Sequence, residues 1–490
     1  MPGNVGAEAS GALIIRALTQ AGLFAGPPPE LPTVLAIATD SRRVTPGTLF
    51  LAVPGTQVDG HEFVEDAVSR GAVAVVVGRP VTDRVPQVLV RDPLLACRHI
   101  ARAWYDDPGS RLEIAAVTGT NGKTTTTAIL RHLLNAQGQA GSIGTLGAVD
   151  GGGRPVPSTA GSLTTPGPVD LYATLADLSK RGVRHVVMEA SSHSLHQGRL
   201  DGLALSGAIF TNLTREHLDY HGTMEEYLRA KLRLLELMSP GGVVAVNADD
   251  PSWEAIPRDR RSVTYGKTAG SDVTAAGEVM DADGCRFLLT GRFGRAEITL
   301  PLPGGFNVSN ALAAAACALA MGVDLDTVAT RLTSVPQVPG RMERLATKPC
   351  TILRDYAHTP DALERVLRAL RPLTHGRLVV LFGCGGARDR GKRAIMGEIA
   401  SEFADLAVLA SDNPRTEDPE QILDDIASGF NGKHHLRFVD RHDAIVSAIE
   451  LVEKGDTLLL AGKGHETYQI IGTIKHPFDE RAIVAELTGS

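Results

Sequence analysis

No two cysteines in this chain have CxxC spacing. The five present, Cys97, Cys285, Cys317, Cys350 and Cys384, are scattered and odd in number, which argues against a disulfide framework or zinc site and fits a reducing compartment. Positive charge is also short. Lys and Arg number 49 against 56 Asp and Glu, a net −7, so no overall basic field favours nucleic acid or anionic membrane. Long apolar runs are missing: the longest, Ala311 to Met321, is too short to span a bilayer. The chain does not open on a basic stretch followed by an apolar core, so no secretory leader is expected and a cytoplasmic location is. Internal repeats, heptads and low-complexity tracts are lacking too. What is present is ordinary for a globular protein: 43% hydrophobic and 21% charged over 490 residues, enough for about three domains with several buried cores.

Turn formers divide the chain into three blocks. In 1–109, the apolar runs Leu35–Ala38, Leu49–Val53, Ala72–Val77 and Val88–Val90 predict strands, and His61–Arg70 predicts a helix. This small α/β domain ends at Asp107-Pro108-Gly109-Ser110. In 110–336, predicted strands at Ile114–Val117, His185–Met188, Ala208–Asn212 and Val243–Asn247 alternate with helices, one of them Lys123 to Leu134. That alternation predicts a mostly parallel sheet. Residues Leu146–Thr165, rich in Gly, Pro, Ser and Thr, predict a long functional loop. In 337–490, strands at Cys350–Leu353, Leu378–Phe382, Leu406–Ala410 and Thr457–Leu460 predict a doubly wound sheet. The fold class is therefore α/β, in three domains.

The strongest local signal is Ala116-Val117-Thr118-Gly119-Thr120-Asn121-Gly122-Lys123-Thr124-Thr125. A strand runs into a glycine turn, and Gly-Lys-Thr opens a helix. Backbone N–H groups of such a turn, together with the helix N-terminus, hold phosphate oxygens. Lys123 is spaced to reach the terminal phosphates, and the Thr124 hydroxyl to ligate Mg²⁺. Val117 stands where the general G-x-x-x-x-G-K-[ST] pattern has its first glycine. The loop indicates a nucleotide phosphate without saying how its energy is used.

Glu189, in Met188-Glu189-Ala190-Ser191-Ser192-His193, follows a second predicted strand, where a further Mg²⁺ ligand belongs; by position alone it also reads as a helix cap. Thr211 to Gly222 follows another strand and gathers Glu216, His217, Asp219 and His221. Lys231, taken alone, is a solvated helical lysine. Further along stand Asn307-Val308-Ser309-Asn310-Ala311, Gly340-Arg341-Met342-Glu343, Asp355-Tyr356-Ala357-His358-Thr359-Pro360 and Gly462-Lys463-Gly464-His465-Glu466, with Asp40-Ser41-Arg42 near the start.

In this order the motifs resemble those of the Mur ligases, the ATP-dependent amide-forming enzymes of peptidoglycan precursor synthesis. The resemblance runs from about Thr39 to the end of the chain, and Thr118–Thr124 is similar to that family's own shortened phosphate loop. It implies a UDP-binding domain over 1–109, a central P-loop ATPase-like domain over 110–336 and a Rossmann-like amino-acid-binding domain over 337–490. It further implies ATP on Gly119, Thr120, Asn121, Gly122, Lys123, Thr124 and Thr125, with Asn310, Arg341, Asp355 and, more weakly, His358. Mg²⁺ would fall to Thr124, Glu189, His217 and Lys231, the lysine carrying CO₂ as a carbamate. The implied nucleotide-sugar substrate, UDP-N-acetylmuramoyl-L-alanyl-D-glutamate, would meet Ser41, Thr56, Gln57, Val58, Thr164, Thr165, Ser191, Gln197 and Arg199.

Asp412-Asn413-Pro414-Arg415 resembles the motif of those members that add meso-2,6-diaminopimelate. Arg415 would grip the distal carboxylate, which lysine lacks, through two parallel hydrogen bonds. Arg388 would take the reacting-end carboxylate, and Gly462 and Glu466 the ammonium and backbone. The enzyme is expected to work as a monomer without nucleic acid or membrane insertion. Three other readings stay open: the same reaction with L-lysine or another diamino acid, a folylpolyglutamate synthase-like ligase, and a P-loop ATPase that is not a ligase.

Overall fold

The computed structural model describes residues 10–55, 58–157, 163–258, 261–281 and 283–489. It has two compact units, Met1–Val263 with Ala320–Gly322, and Thr264–Leu319 with Val323–Ser490.

In the first unit, Val75-Val76-Val77 supply the β-branched centre of a four-stranded parallel sheet, ordered Ala36–Ala38, Thr48–Leu51, Ala72–Val77, Gln87–Leu89. Helices Ser10–Gln20 and Pro93–Trp104 bury Ile14, Leu18, Cys97 and Ile100 in one core. Asp92 caps the second by accepting from the Leu95 N–H at 2.9 Å, with Pro93 at its first turn. The helix expected over His61–Arg70 is instead a 3₁₀ turn, Gly60–Phe63, followed by an α-helix, Val64–Ser69. The Asp59 carboxylate accepts from the His61 N–H at 3.0 Å and draws the start into the tighter turn.

A second sheet in this unit runs Met238–Asn247, Leu205–Phe210, Glu113–Thr118, His185–Glu189, Ala140–Gly144, Gly147–Val149, Pro155–Val156. Its first five strands are parallel and its last two antiparallel. Glu113–Thr118 is buried from Ile114 onward, as a parallel strand covered on both faces should be. The predicted long loop from Leu146 holds two short strands, because Gly147, at φ 82°, folds the chain back beside Ala140–Gly144.

In the second unit, three antiparallel strands that the sequence reading did not anticipate, Val273–Met280, Cys285–Gly291 and Gly294–Leu300, precede the alanine-rich buried helix Gly305–Ala320. A six-stranded sheet follows, ordered Glu343–Ala346, Thr351–Asp355, Thr457–Ala461, Leu378–Phe382, Leu406–Ala410, Leu436–Phe438. All pairs but the first are parallel. Separate cores, one with Leu363, Met396 and Leu423, the other with Ile445, Ala448 and Val484, make it doubly wound. Thr457–Ala461 comes last of these strands in the chain yet lies between Thr351–Asp355 and Leu378–Phe382. Strand order therefore reverses there, and a ligand crevice is expected at the carboxyl ends of the strands around it. No helix among the described residues is long and apolar enough to cross a membrane.

Candidate active site

In the first unit, three neighbouring strands end in line, Val117 level with Glu189 and Thr118 with Phe210. The chain leaving them builds one site. Gly119 turns at φ 147°, and a Cβ there would lie 1.8 Å from Thr211 Oγ1. Gly122, at φ 84°, caps the helix Lys123–Leu134. The loop is pinned from the next strand's exit: Asn212 Oδ1 accepts from the Asn121 N–H at 2.9 Å, and the Asn212 carbonyl from the Thr120 N–H at 2.7 Å. Thr120 Oγ1 accepts from the Thr214 N–H at 2.9 Å and lies 3.2 Å from the Tyr227 hydroxyl. Lys123 Nζ donates to the carbonyls of Gly119 at 2.9 Å and Thr120 at 2.7 Å, and Thr125 is buried beneath the turn.

Thr124 Oγ1 donates to Glu189 Oε2 at 3.1 Å. Glu189 is 1% exposed and also takes both donors of Thr145, the N–H on Oε1 at 2.7 Å and the hydroxyl on Oε2 at 3.1 Å. Thr145 carries no motif and was not foreseen from sequence. A hydroxyl and a carboxylate standing together at the start of the phosphate-loop helix are hard oxygen donors that fit Mg²⁺. Among the described residues no three His, Cys, Asp or Glu side chains converge as a metal-binding group. Phosphate oxygens or water would complete such a site. His217, at φ 56°, packs edge-on against His193 with ring centroids 4.8 Å apart. Burial holds its pKa below the ordinary value; Glu216 opposes that shift, and Lys123 and Lys231 reinforce it.

Lys231 corrects its residue-level reading as a solvated lysine. It is 1% exposed, donates to the Gly119 carbonyl at 2.7 Å, and lies 4.4 Å from the centre of the Tyr227 ring. Burial, and then the Lys123 ammonium, push its pKa well below the lysine range. The neutral amine, the form that adds CO₂, is thus populated at lower pH than in a solvated lysine.

Four expected nucleotide-sugar contacts form one hydrogen-bonded row beside Glu189, and a fifth, Thr164, meets Thr145 instead. Thr165 Oγ1 donates to the Glu189 carbonyl at 2.8 Å and accepts from the Ser191 N–H at 3.2 Å. Arg199 donates to the Thr165 carbonyl at 3.0 Å and to Gln197 Oε1 at 2.9 Å. Gln197 Nε2 in turn donates to the Tyr220 hydroxyl at 3.1 Å. Thr164 Oγ1 lies 3.2 Å from Thr145 Oγ1. Ser41 is buried and bonds to Asp66, and Val58 is exposed. Thr56 and Gln57 lie outside the described residues.

In the second unit, the exits of four neighbouring strands carry most of the remaining candidates, with Arg341 ahead of the strand Glu343–Ala346 and Asn310 on a helix. Asp355 Oδ2 accepts from the Met342 N–H at 2.7 Å, and burial raises its pKa against the pull of Arg341. The Arg341 guanidinium lies 4.9 Å from the centre of the Tyr356 ring. His358 Nδ1 lies 2.8 Å from the Tyr356 carbonyl. Asn310, on the alanine-rich helix, donates to Asn307 Oδ1 at 3.1 Å.

Two of these exits are stitched together. The Gly386 N–H donates to the Asn413 carbonyl at 2.9 Å, and Arg415 Nη1 to the Gly386 carbonyl at 2.8 Å. A Cβ on Gly386 would lie 1.9 Å from the Pro414 carbonyl oxygen, so only glycine permits the approach. Arg415 sits at φ 54°, left-handed for a residue with a side chain. Asp412 lies against Gly462, whose Cβ would come within 2.9 Å of its carboxylate. Asn413 Nδ2 donates to Glu466 Oε2 at 3.0 Å. Arg388 is exposed and makes no hydrogen bond or ion pair among the described residues. Cations and anions thus alternate around these exits, as recognition of an amino acid bearing carboxylate and ammonium groups requires.

Three family models match the chain: Mur ligase family, catalytic domain, over 33–105; Mur ligase middle domain, over 117–318; and Mur ligase, glutamate ligase domain, over 340–464. The UDP-N-acetylmuramoyl-L-alanyl-D-glutamate–2,6-diaminopimelate ligase of Gloeobacter violaceus is 44% identical over 455 residues, covering 91% of this chain and 92% of that one. The ligase of the same name from Geobacillus kaustophilus is 45% identical over 465 residues, covering 92% and 94%. A solved structure of a ligase with this name superposes with a TM-score of 0.63 at 34% identity, over 94% of this chain and 96% of that one. A Mycobacterium tuberculosis folylpolyglutamate synthase complexed with ADP shares the fold at 20% identity and a TM-score of 0.63, over 76% of this chain and 92% of that one. With three ordered family models and relatives of this identity matched along nearly its whole length, the chain belongs to the Mur ligase family.

Proposed function

We propose that this protein uses ATP to join meso-2,6-diaminopimelate to UDP-N-acetylmuramoyl-L-alanyl-D-glutamate, a step of peptidoglycan precursor synthesis. The observation that carries this reading is the stitched pair of exits that holds Arg415, with Asn413 of the same turn bonded to Glu466, in a chain 44–45% identical to ligases of that name. Amide formation from a carboxylate and an amine is uphill in water. A carboxylate oxygen of the dipeptide therefore attacks the γ-phosphorus, ADP leaves, and an acyl phosphate forms. The amine adds to the acyl carbon, and the tetrahedral intermediate expels phosphate. Such transfer depends on alignment and charge neutralisation more than on covalent help.

Lys123 and the loop N–H groups hold the phosphates. Thr124 and Glu189, with His217 and the Lys231 carbamate, would hold Mg²⁺, which when bound offsets repulsion between the γ-phosphate and the incoming carboxylate. Lys231 reaches that state when its ammonium gives up one proton and the neutral amine then adds CO₂ and gives up a second, so that a cation is replaced by an anion with two oxygens. Thr164, Thr165, Ser191, Gln197 and Arg199 orient the dipeptide end, and Ser41, Thr56, Gln57 and Val58 the nucleotide end. Asn310, Arg341 and Asp355 serve the nucleoside of ATP. Arg388 takes the reacting-end carboxylate of the diamino acid, Arg415 its distal one, and Asp412, Gly462 and Glu466 its ammonium and backbone. Asn413 and Pro414 shape the turn that aims Arg415.

The domains assigned to these tasks are 1–109, 110–336 and 337–490, in a cytoplasmic monomer. Lysine in this site leaves Arg415 facing no carboxylate, which disfavours it. The test is phosphate release from ATP with the UDP-dipeptide present and the amino acid varied. Release with diaminopimelate and not with lysine supports the reading, and equal release with both overturns the amino-acid assignment.

A further inference from the structure

Lys463 has no task in the reaction above, yet it is 0% exposed. A buried ammonium is costly unless its charge is met. Here it is met twice: Nζ donates to Asn413 Oδ1 at 3.3 Å and to Glu466 Oε2 at 3.4 Å. These partners sit on exits from Leu406–Ala410 and Thr457–Ala461, strands with one other strand between them. The turn that carries Lys463 inward is set by Gly462 at φ 108° and Gly464 at φ 52°.

Asn413 has both ends of its amide engaged. Oδ1 also accepts from the Ile470 N–H at 2.9 Å, while Nδ2 donates to Glu466 Oε2 at 3.0 Å. Ile470 belongs to a hairpin, Tyr468–Ile471 with Ile474–Pro477. The same hairpin holds Arg415 from both sides: the Arg415 N–H donates to the Ile470 carbonyl at 3.0 Å, and the Gly472 N–H to the Arg415 carbonyl at 2.8 Å. Glu466 is left with one oxygen engaged inside. Its Oε1 has no protein partner among the described residues.

We propose that Lys463 is a positioning residue for amino-acid selectivity. Its ammonium ties Asn413 to Glu466, and through Asn413 and the hairpin it fixes the distance from Glu466 to Arg415, the span a diamino acid with a distal carboxylate must match. The inference rests on the ligase reading above. Lys463 also offsets the negative charge of Glu466, lowering its repulsion of the substrate's own carboxylates.

The test uses the full-length enzyme with Lys463→Met, which keeps the length and removes charge and donors, and Lys463→Arg, which keeps both. A hydrogen bond to a charged group contributes about 1.5–3 kcal/mol, so Lys463→Met should raise the KM for diaminopimelate about 10- to 100-fold. The KM values for ATP and UDP-dipeptide should stay within about twofold, and the preference for diaminopimelate over lysine should fall. Lys463→Arg should restore most of that preference. Combined with Glu466→Gln, Lys463→Met should add little, because the two act as a unit. If Lys463→Met does not fold, Lys463→Gln reads the same split. Unchanged selectivity in a folded variant, or all three KM values rising together, overturns the proposal. A wild-type enzyme inactive with every diamino acid overturns the ligase reading instead, so the two failures are distinct.

Discussion

Replacing Arg415 with alanine removes the group proposed to meet the distal carboxylate of the diamino acid, and the structure sets the size of the loss. Nη1 is committed to the Gly386 carbonyl at 2.8 Å, and a guanidinium has five N–H donors, so a fork remains for a substrate carboxylate. Stripping one partner from a fully buried ion pair costs about 3–5 kcal/mol. Arg415 is half-buried, which places the loss near the lower end, about 3 kcal/mol or roughly 100-fold in KM. The backbone does not confuse the comparison. At φ 54°, alanine suffers the same left-handed strain as arginine, roughly 1–2 kcal/mol, and glycine does not. Arg415→Gly should therefore lose the same affinity as Arg415→Ala while resisting urea better by about 1 kcal/mol. The assay is phosphate release against diaminopimelate concentration at saturating ATP and UDP-dipeptide, with urea unfolding of both variants alongside. An alanine variant with unchanged KM would refute the reasoning. So would a glycine variant that keeps the affinity alanine loses, since backbone strain would then be the cause.

Lys231→Ala should be nearly inactive and partly rescued by a small added carboxylic acid that supplies the missing oxygens; no rescue at any concentration argues against the carbamate. Gly119→Ala should lose ATP-dependent activity, because its Cβ would lie 1.8 Å from Thr211 Oγ1; a KM for ATP within about twofold of wild type would show that the loop tolerates the change. His193 and His221 have pKa values pushed down to about 4, first by burial, against an ordinary value of about 6.5. The unfolded chain takes up these protons first, so the stability they confer is complete above about pH 6.5 and is lost as pH falls through about 4. His221→Asn should flatten the fall in urea midpoint across that window, and an unaltered slope would show that its imidazole does not titrate as described.

The phosphate loop was legible because its determinants are local: the strand, the glycine turn and the helix Lys123–Leu134 follow one another within a few residues. Four of the six strands of the last sheet were legible for the same reason, as short runs centred on buried apolar residues, whereas the edge strands Glu343–Ala346 and Leu436–Phe438 were not anticipated. Thr145 was not, because a lone threonine has no pattern and acquires its role only when Ala140–Gly144 ends beside Glu189. Lys231 looked solvated because helical spacing says nothing of what packs over a helix. Asn413 stands in a motif, but that its amide engages Ile470, Lys463 and Glu466 depends on segments about 50 residues away and has no local signature. The hairpin that brings Ile470 there did leave a signal: Tyr468–Ile471 and Ile474–Pro477 flank the pair Gly472-Thr473, a two-residue turn opening on glycine.

The central claim is that the dipeptide carboxylate is phosphorylated before the diamino acid attacks it. The most direct measurement places oxygen-18 in that carboxylate and follows it by mass spectrometry of the released phosphate, with ATP and diaminopimelate present. The carboxylate oxygen that attacks the γ-phosphorus leaves with the phosphate, so the account predicts one labelled oxygen in each phosphate released and one fewer in the amide product. Unlabelled phosphate formed alongside the amide would contradict it.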